Sequence, residues 1–365
     1  MKSLTRRRTL GSAALVGVAG LLLSACAAAP TDTSDTSSSV PEVDFLACAV
    51  SDEGSWNDKS FNEAAYDGLV KAKEELGVQL ADAESNDTED FEPNLTQMVE
   101  AGCDVTFAVG FNFSLNDTIF TVADANPDSH FVWIDGWNQG QTNLKPITYA
   151  MDQSSFLAGY LAAAYSTTKT IGTYGGLDIP AVTAFMDGFY YGAKYYEDET
   201  GTEITVLGRD PEAGTGSFTD PELSFGDTEG AKAISKGQLA DGADVIFPVA
   251  GGLFASTAEA INESGSDAVF LGVDKDIAVT SPEYADLVLT SVEKRMTQAV
   301  FDVIKDLSSG GEFSVDPYVG TLENDGTALS DFGAFEDKVP QEVKDKLEEL
   351  KAGIIDGSIV PIPTS

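Results

Sequence analysis

The sequence predicts an α/β protein built from parallel sheets, duplicated into two lobes. Three observations carry this. Short apolar runs alternate with amphipathic stretches along the chain, the pattern of βα units in a parallel sheet. One βα unit recurs: AGCDVTFAVGFNF at 101–113 matches DGADVIFPVAGGLF at 241–254. A second strand follows each copy, HFVWIDG at 130–136 and VFLGVDK at 269–275, so that Asp104 and Asp135 are 31 positions apart and Asp244 and Asp274 are 30 apart. Two ordered matches at nearly equal spacing point to a duplicated lobe.

The elements follow in order. Val43–Val50 is a strand candidate. Residues 60–76 carry Phe61, Ala64, Ala65, Gly68, Leu69, Ala72 and Leu76 at helical spacing, with Gly77 as the stop. Asp104–Val109, His130–Asp135, Ile171–Gly175, Glu203–Leu207, Val245–Val249 and Ala268–Val273 are further strand candidates. Val288–Val292 is an apolar strand, and a helix is expected over Thr297–Leu307. Asp135 and Asp274 each end a strand, and the glycine turns at Gly110 and Gly251-Gly252 follow strands. Ligands of open parallel sheets sit beyond the carboxyl ends of the strands. Two facing lobes would therefore line one cleft, as in a binding protein that closes about a hinge.

The residues before this region are not fold. Lys2, Arg6, Arg7 and Arg8 precede a small, apolar run from Leu10 to Leu23, too short for a comfortable membrane span and typical of a secretory signal over residues 1–25. Leu23-Ser24-Ala25-Cys26 resembles a bacterial lipobox, which implies lipidation of Cys26 and a membrane anchor. Arg6-Arg7-Arg8-Thr9-Leu10 also resembles a twin-arginine signal, so the export route stays open. Residues 26–42 are small, polar and proline-punctuated, the composition of a disordered tether.

Charge narrows the function. The 365 residues carry a net charge of −39. Cleavage after residue 25 removes four positive charges and no negative ones, giving −43. Such a surface excludes phosphate-neutralising contact with nucleic acid. His130 is the lone histidine, which argues against histidine catalysis. HExxH, CxxC and GxSxG are all missing, and the glycine runs lack the spacing and lysine of a phosphate loop. No metal and no cofactor are expected. Cys48 and Cys103 lie in apolar segments; two separate buried thiols are the expectation, although an exported protein permits a disulfide.

The candidate site has four parts. The loop Glu53–Ser60 joins the first strand to its helix. In it Asn57 donates and accepts while Asp58 accepts only, a pair suited to a heteroaromatic edge or a polyol. Asp58 or Ser60 could also cap the helix. Phe61 can stack on a ring. Asp274 can accept two hydroxyl hydrogens from a vicinal diol, and Lys294 can donate to the same hydroxyls. Gly251 and Gly252 allow close backbone approach. Phe185 is a weaker aromatic candidate on an apolar helix face.

The segments NDKSFNEAAYDGL (57–69), GFNFSLNDTI (110–119), FVWID (131–135), SSFLAGYLAAAYS (154–166), GTYGGLDIPAVTAFMDGFYYGAKYY (172–196), VIFPVAGG (245–252), FLGVDKD (270–276) and VLTSVEKRMTQAVFDVIK (288–305) resemble the basic membrane protein, or PnrA-like, family of bacterial substrate-binding lipoproteins of ABC importers. The resemblance implies a type I periplasmic-binding fold with three crossovers: lobes 43–152 plus 292–310 and 153–291 plus 311–365. It implies a nucleoside ligand, purine or pyrimidine. Asn57 and Asp58 would address the base with Asp135 nearby, Phe61 and a second aromatic would sandwich it, and Asp274 and Lys294 would hold the ribose beside Gly251-Gly252. It implies ABC permease and ATPase partners, and a monomer is expected. Two departures leave the preferred base open. Gly54-Ser55-Trp56 replaces a commoner Gly-Gly-Ile, so that Trp56 would crowd or extend the aromatic wall. Ala150-Met151-Asp152-Gln153 replaces Lys-Glu-His-Glu. Competing readings are a sugar-binding cleft, a nucleoside or glycoside hydrolase using paired carboxylates, and a surface adhesin or sensor without a transporter.

Overall fold

The computed structural model describes residues 40–363. The leader, Cys26 and most of the tether lie outside the described residues. In chain order the elements are β1 (Leu46–Ser51), α1 (Phe61–Leu76), β2 (Gln79–Ala83), α2 (Phe91–Glu100), β3 (Val105–Val109), α3 (Thr118–Ala125), β4 (Phe131–Ile134), β5 (Leu144–Tyr149), α4 (Met151–Tyr165), β6 (Thr170–Gly175) and α5 (Pro180–Thr200). There follow β7 (Thr205–Leu207), β8 (Arg209–Asp210), β9 (Thr215–Gly216), α6 (Thr228–Ala240), β10 (Val245–Val249), α7 (Phe254–Ser264), β11 (Val269–Asp274), α8 (Ile277–Thr280), β12 (Val288–Lys294), α9 (Met296–Ser308), β13 (Tyr318–Gly320), β14 (Thr327–Leu329) and α10 (Gln341–Ile355).

Two six-stranded sheets have matching orders, β2-β1-β3-β4-β5-β13 and β7-β6-β10-β11-β12-β14. All neighbours are parallel except β14, which runs antiparallel to β12. The duplication read from the sequence is thus a duplication of sheet topology: β3 and β4 correspond to β10 and β11. The repeated aspartates at the strand starts are structural. Asp104 accepts from the Leu46 N–H at 2.7 Å, and Asp244 accepts from Ser166, Thr167 and Thr168. Each ties its strand to the start of the neighbouring strand or its lead-in loop.

Alternation along the strands sends side chains to two cores per sheet. In the first lobe Ala47 and Ala49 meet α1 and α9, while Cys48 and Val50 meet α2 and α3. In the second lobe Phe247 and Leu271 pack under α4, α5 and α10; Ile246 and Phe270 face α6 and α7. Cys48 and Cys103 are joined by a disulfide. This corrects the expectation of separate thiols: parallel pairing of β1 with β3 brings the segment before β3 beside Cys48, a proximity that a gap of 55 residues hides.

The chain crosses between the sheets after β5, after β12 and between β13 and β14. The crossings hold one another: Ala150 N–H donates to Gly320 O at 2.8 Å, and Arg295 N–H donates to Gly326 O at 3.0 Å. Two boundaries differ from the expected ones. Residues 292–294 belong to the second sheet, because β12 runs to Lys294 before α9 begins. Tyr318–Gly320 adds a strand to the first sheet instead of joining the second; three residues are too few to show a period.

Candidate functional site

The carboxyl ends of β4, β5, β11 and β12 converge between the lobes. Asp135 and Asp274 close the equivalent strands β4 and β11, and both adopt left-handed backbone, with φ of 63° and 67°. Asp and Asn enter this left-handed region more readily than other side chains that carry a Cβ.

Lys294, the last residue of β12, is 3% exposed. Its Nζ donates to Asp135 Oδ2 at 2.5 Å, an ion pair between the lobes. The ammonium also lies 4.9 Å from the ring centre of Phe61, 5.4 Å from Tyr149 and 5.9 Å from Phe185. Three aromatic faces around one desolvated cation is a favourable arrangement. Asp274 is nearly sealed and receives the Ser60 hydroxyl at 2.5 Å on Oδ2. Burial pushes its carboxyl up to about 6, against the pull of Lys294 and the Ser60 hydrogen bond.

Most of the expected site residues meet here. Asp135, Asp274, Lys294, Phe61 and Phe185 form one cluster. Gly252 closes the other side of the loop: a Cβ there would stand 2.8 Å from Asp58 O, so only glycine lets the second lobe lie against it. Gly251 adopts a φ of 54° in the same turn. Asp58 has a structural task. Its carboxylate accepts from the N–H groups of Ser60, Asn62 and Glu63 at 2.9, 2.9 and 3.1 Å, capping α1. Burial nevertheless holds it above the usual carboxylate range. Asn57 is exposed on the loop, outside the buried cluster.

Trp56 departs from expectation. It stacks on Tyr66 with ring centres 5.0 Å apart and donates from Nε1 to Asp82 at 2.9 Å. It anchors the loop to β2 and does not join the aromatic wall. Two cluster residues escaped the sequence reading. Ser60, read as a cap, instead reaches across the cleft to Asp274. Tyr149 ends β5, a strand whose Lys145 and Pro146 mask its apolar pattern.

Two further contacts cross the cleft: Lys275 donates to Glu63 and Asp67, each at 2.8 Å. A broad surface depression of about 1040 Å³ lies elsewhere, at the amino ends of β6, β10 and β11 beside Tyr165, Asp244 and Lys338. Of its carboxylates, Asp244 is already engaged by the Ser166–Thr168 turn and Glu263 by Lys232 and Lys236, so the strand-end cluster is the better site. Among the described residues no group of metal-ligating side chains occurs.

Duplicated doubly wound lobes, three crossovers and a polar-aromatic cluster between the strand ends define a bilobal solute-binding protein with the type I periplasmic fold. Comparison with known proteins agrees. Residues 45–356 match the model of the family described as ABC transporter substrate-binding protein PnrA-like, and the chain belongs to that family. It is 30% identical to the ABC transporter nucleoside-binding protein BmpA of Lactococcus lactis subsp. cremoris over 97% of this chain and 98% of that one. It is 31% identical to basic membrane protein A of Borreliella burgdorferi over 72% and 71%. A crystal structure of an ABC transporter system solute-binding protein from Aeropyrum pernix K1 superposes with a TM-score of 0.74 at 25% identity, covering 87% of this chain and 92% of that chain. As a substrate-binding component the protein works on the extracytoplasmic side of its transporter. No described helix is long and apolar enough to cross a membrane.

Proposed function

We propose that this protein captures a nucleoside between its lobes and delivers it to the permease and ATPase of an ABC importer, as a monomer anchored by a lipid on Cys26. One observation carries the reading: two strand-end carboxylates, Asp135 and Asp274, face a shared lysine, Lys294, beneath the rings of Phe61 and Phe185. Aromatic faces suit a planar base. A carboxylate beside an ammonium suits vicinal sugar hydroxyls, which can donate to the one and accept from the other. In this reading Asp274 and Lys294 hold the ribose, Asp135 lies toward the base, and Asn57 with Asp58 addresses the base edge from the loop. Gly251 and Gly252 let the second lobe close. Ligand entry requires the contacts of Ser60 with Asp274 and of Lys275 with Glu63 and Asp67 to part, so these set the cost of opening. The name of the Lactococcus relative supports the ligand class.

Calorimetric titration with a panel of nucleosides, free bases and pentoses tests this. The expected result is a dissociation constant near or below about 1 μM for at least one nucleoside, because a closed cleft buries most of a small ligand. Asp274→Ala should weaken it by roughly 10- to 150-fold, the worth of one charge-assisted hydrogen bond or more. No binding to any nucleoside would reject the ligand; tight binding of free pentoses alone would favour a sugar carrier. Recovery of intact nucleoside after incubation is expected, and release of free base would instead mean a hydrolase.

A further inference from the structure

Building on the nucleoside reading, we propose that Tyr149 is a specificity-determining residue whose hydroxyl hydrogen-bonds one sugar hydroxyl of the bound ligand. The residue sits at the first crossover, where β5 ends, packed against both lobes' cores. Its ring lies edge-on to Tyr318 at 6.1 Å and under the Lys294 ammonium at 5.4 Å. Its Oη is shut off from solvent and has no hydrogen-bond partner. A buried hydroxyl without a partner loses its hydration for nothing in return; of the six such atoms among the described residues, Tyr149 Oη belongs to a ring beside the Lys294 ammonium. Phenylalanine would pack the same ring against the same neighbours without that cost. The oxygen is therefore free to bond a ligand group.

The neighbours say what it serves. Burial, Tyr318 and the charge of Asp135 all hold the phenol well above its ordinary pKa, so the oxygen keeps its proton and stays able both to donate and to accept. Its ring lies beside the Lys294 ammonium, the group that holds the sugar hydroxyls in this reading. A sugar hydroxyl, itself donor and acceptor, matches it; the faces of a base between Phe61 and Phe185 do not.

The test is calorimetry of wild type and Tyr149→Phe against a ribonucleoside and its 2′-, 3′- and 5′-deoxy analogues, with thermal unfolding of both proteins empty. Tyr149→Phe should bind the ribonucleoside roughly 3- to 10-fold more weakly, the worth of one neutral hydrogen bond. For one deoxy analogue the two proteins should bind equally, which identifies the hydroxyl held. The empty variant should unfold no lower than wild type, since it sheds an unpaired group. Equal affinity of both proteins for the ribonucleoside overturns the proposal, as does a penalty that persists through all three deoxy analogues. A wild type that binds no nucleoside overturns the underlying ligand reading, and that outcome is read without the variant.

Discussion

At the scale of single residues, Asp274 and Asp52 are the buried acids with the largest consequences. Asp52, just past β1, accepts from Asn62 Nδ2 and Gly54 N–H, yet burial and the nearby Glu53 push its carboxyl up to about 7. Both acids have folded pKa values above the unfolded value of 3.8, so their protonation favours the fold. That contribution is complete below about pH 4 and is lost as pH rises through 6 and 7. The empty protein should therefore unfold at a higher temperature at pH 5 than at pH 8. Ligand binding should show the opposite trend. In the nucleoside reading, sugar hydroxyls donate to the ionised form of Asp274, so affinity should fall as pH drops below about 6, by at most tenfold per unit; Asp274→Asn should flatten that profile in calorimetry. Much of this chemistry was legible in the sequence, because a strand-ending Asp and a Lys after an apolar strand carry positional meaning. The partner choices were not. Nothing local says that Ser60 crosses to Asp274, or that Lys294 pairs with Asp135 across 159 positions.

At the scale of elements, α1 and α9 were legible as helices from their apolar period. α1 ends at Gly77 with φ of 77°, as its left-handed stop requires. The strands β2, β5, β13 and β14 had no clear signal. QLADA in β2 is half-exposed at an edge, and LKPITY in β5 is broken by Lys145 and Pro146. Neither gives a clean alternation or an apolar run. The α4–α5 contact shows a different kind of dependence. Gly159 lies against Phe189 O, and Gly188 and Gly192 lie against the backbone of Asp152 and Phe156. A methyl at any of these would meet backbone, which cannot swing aside. Gly159→Ala should cost about 1–3 kcal/mol in urea unfolding, although it improves helix propensity.

For the whole molecule, the internal repeat was the most informative feature of the sequence, since it placed β3–β4 and β10–β11 at equivalent positions of two sheets that differ in the direction of their last strand. Their mutual closure depends on side chains from distant segments and was beyond reach, as was the disulfide. Cys48–Cys103 staples the start of β3 to β1 across 55 residues. The intact protein should take up no alkylating reagent at these positions before reduction, as judged by mass. Replacing both with Ala should lower stability by about 2–4 kcal/mol. A net charge far from zero favours solubility; the ligand reading needs only a few groups in one cleft. Native mass spectrometry of protein purified without added ligand tests that cleft most directly. Wild type should carry, or take up on soaking, the extra mass of one nucleoside, and Asp274→Ala should carry it in a markedly smaller fraction of molecules. A wild type that stays empty after soaking with nucleosides, or a variant that retains the ligand as firmly as wild type, would contradict the account.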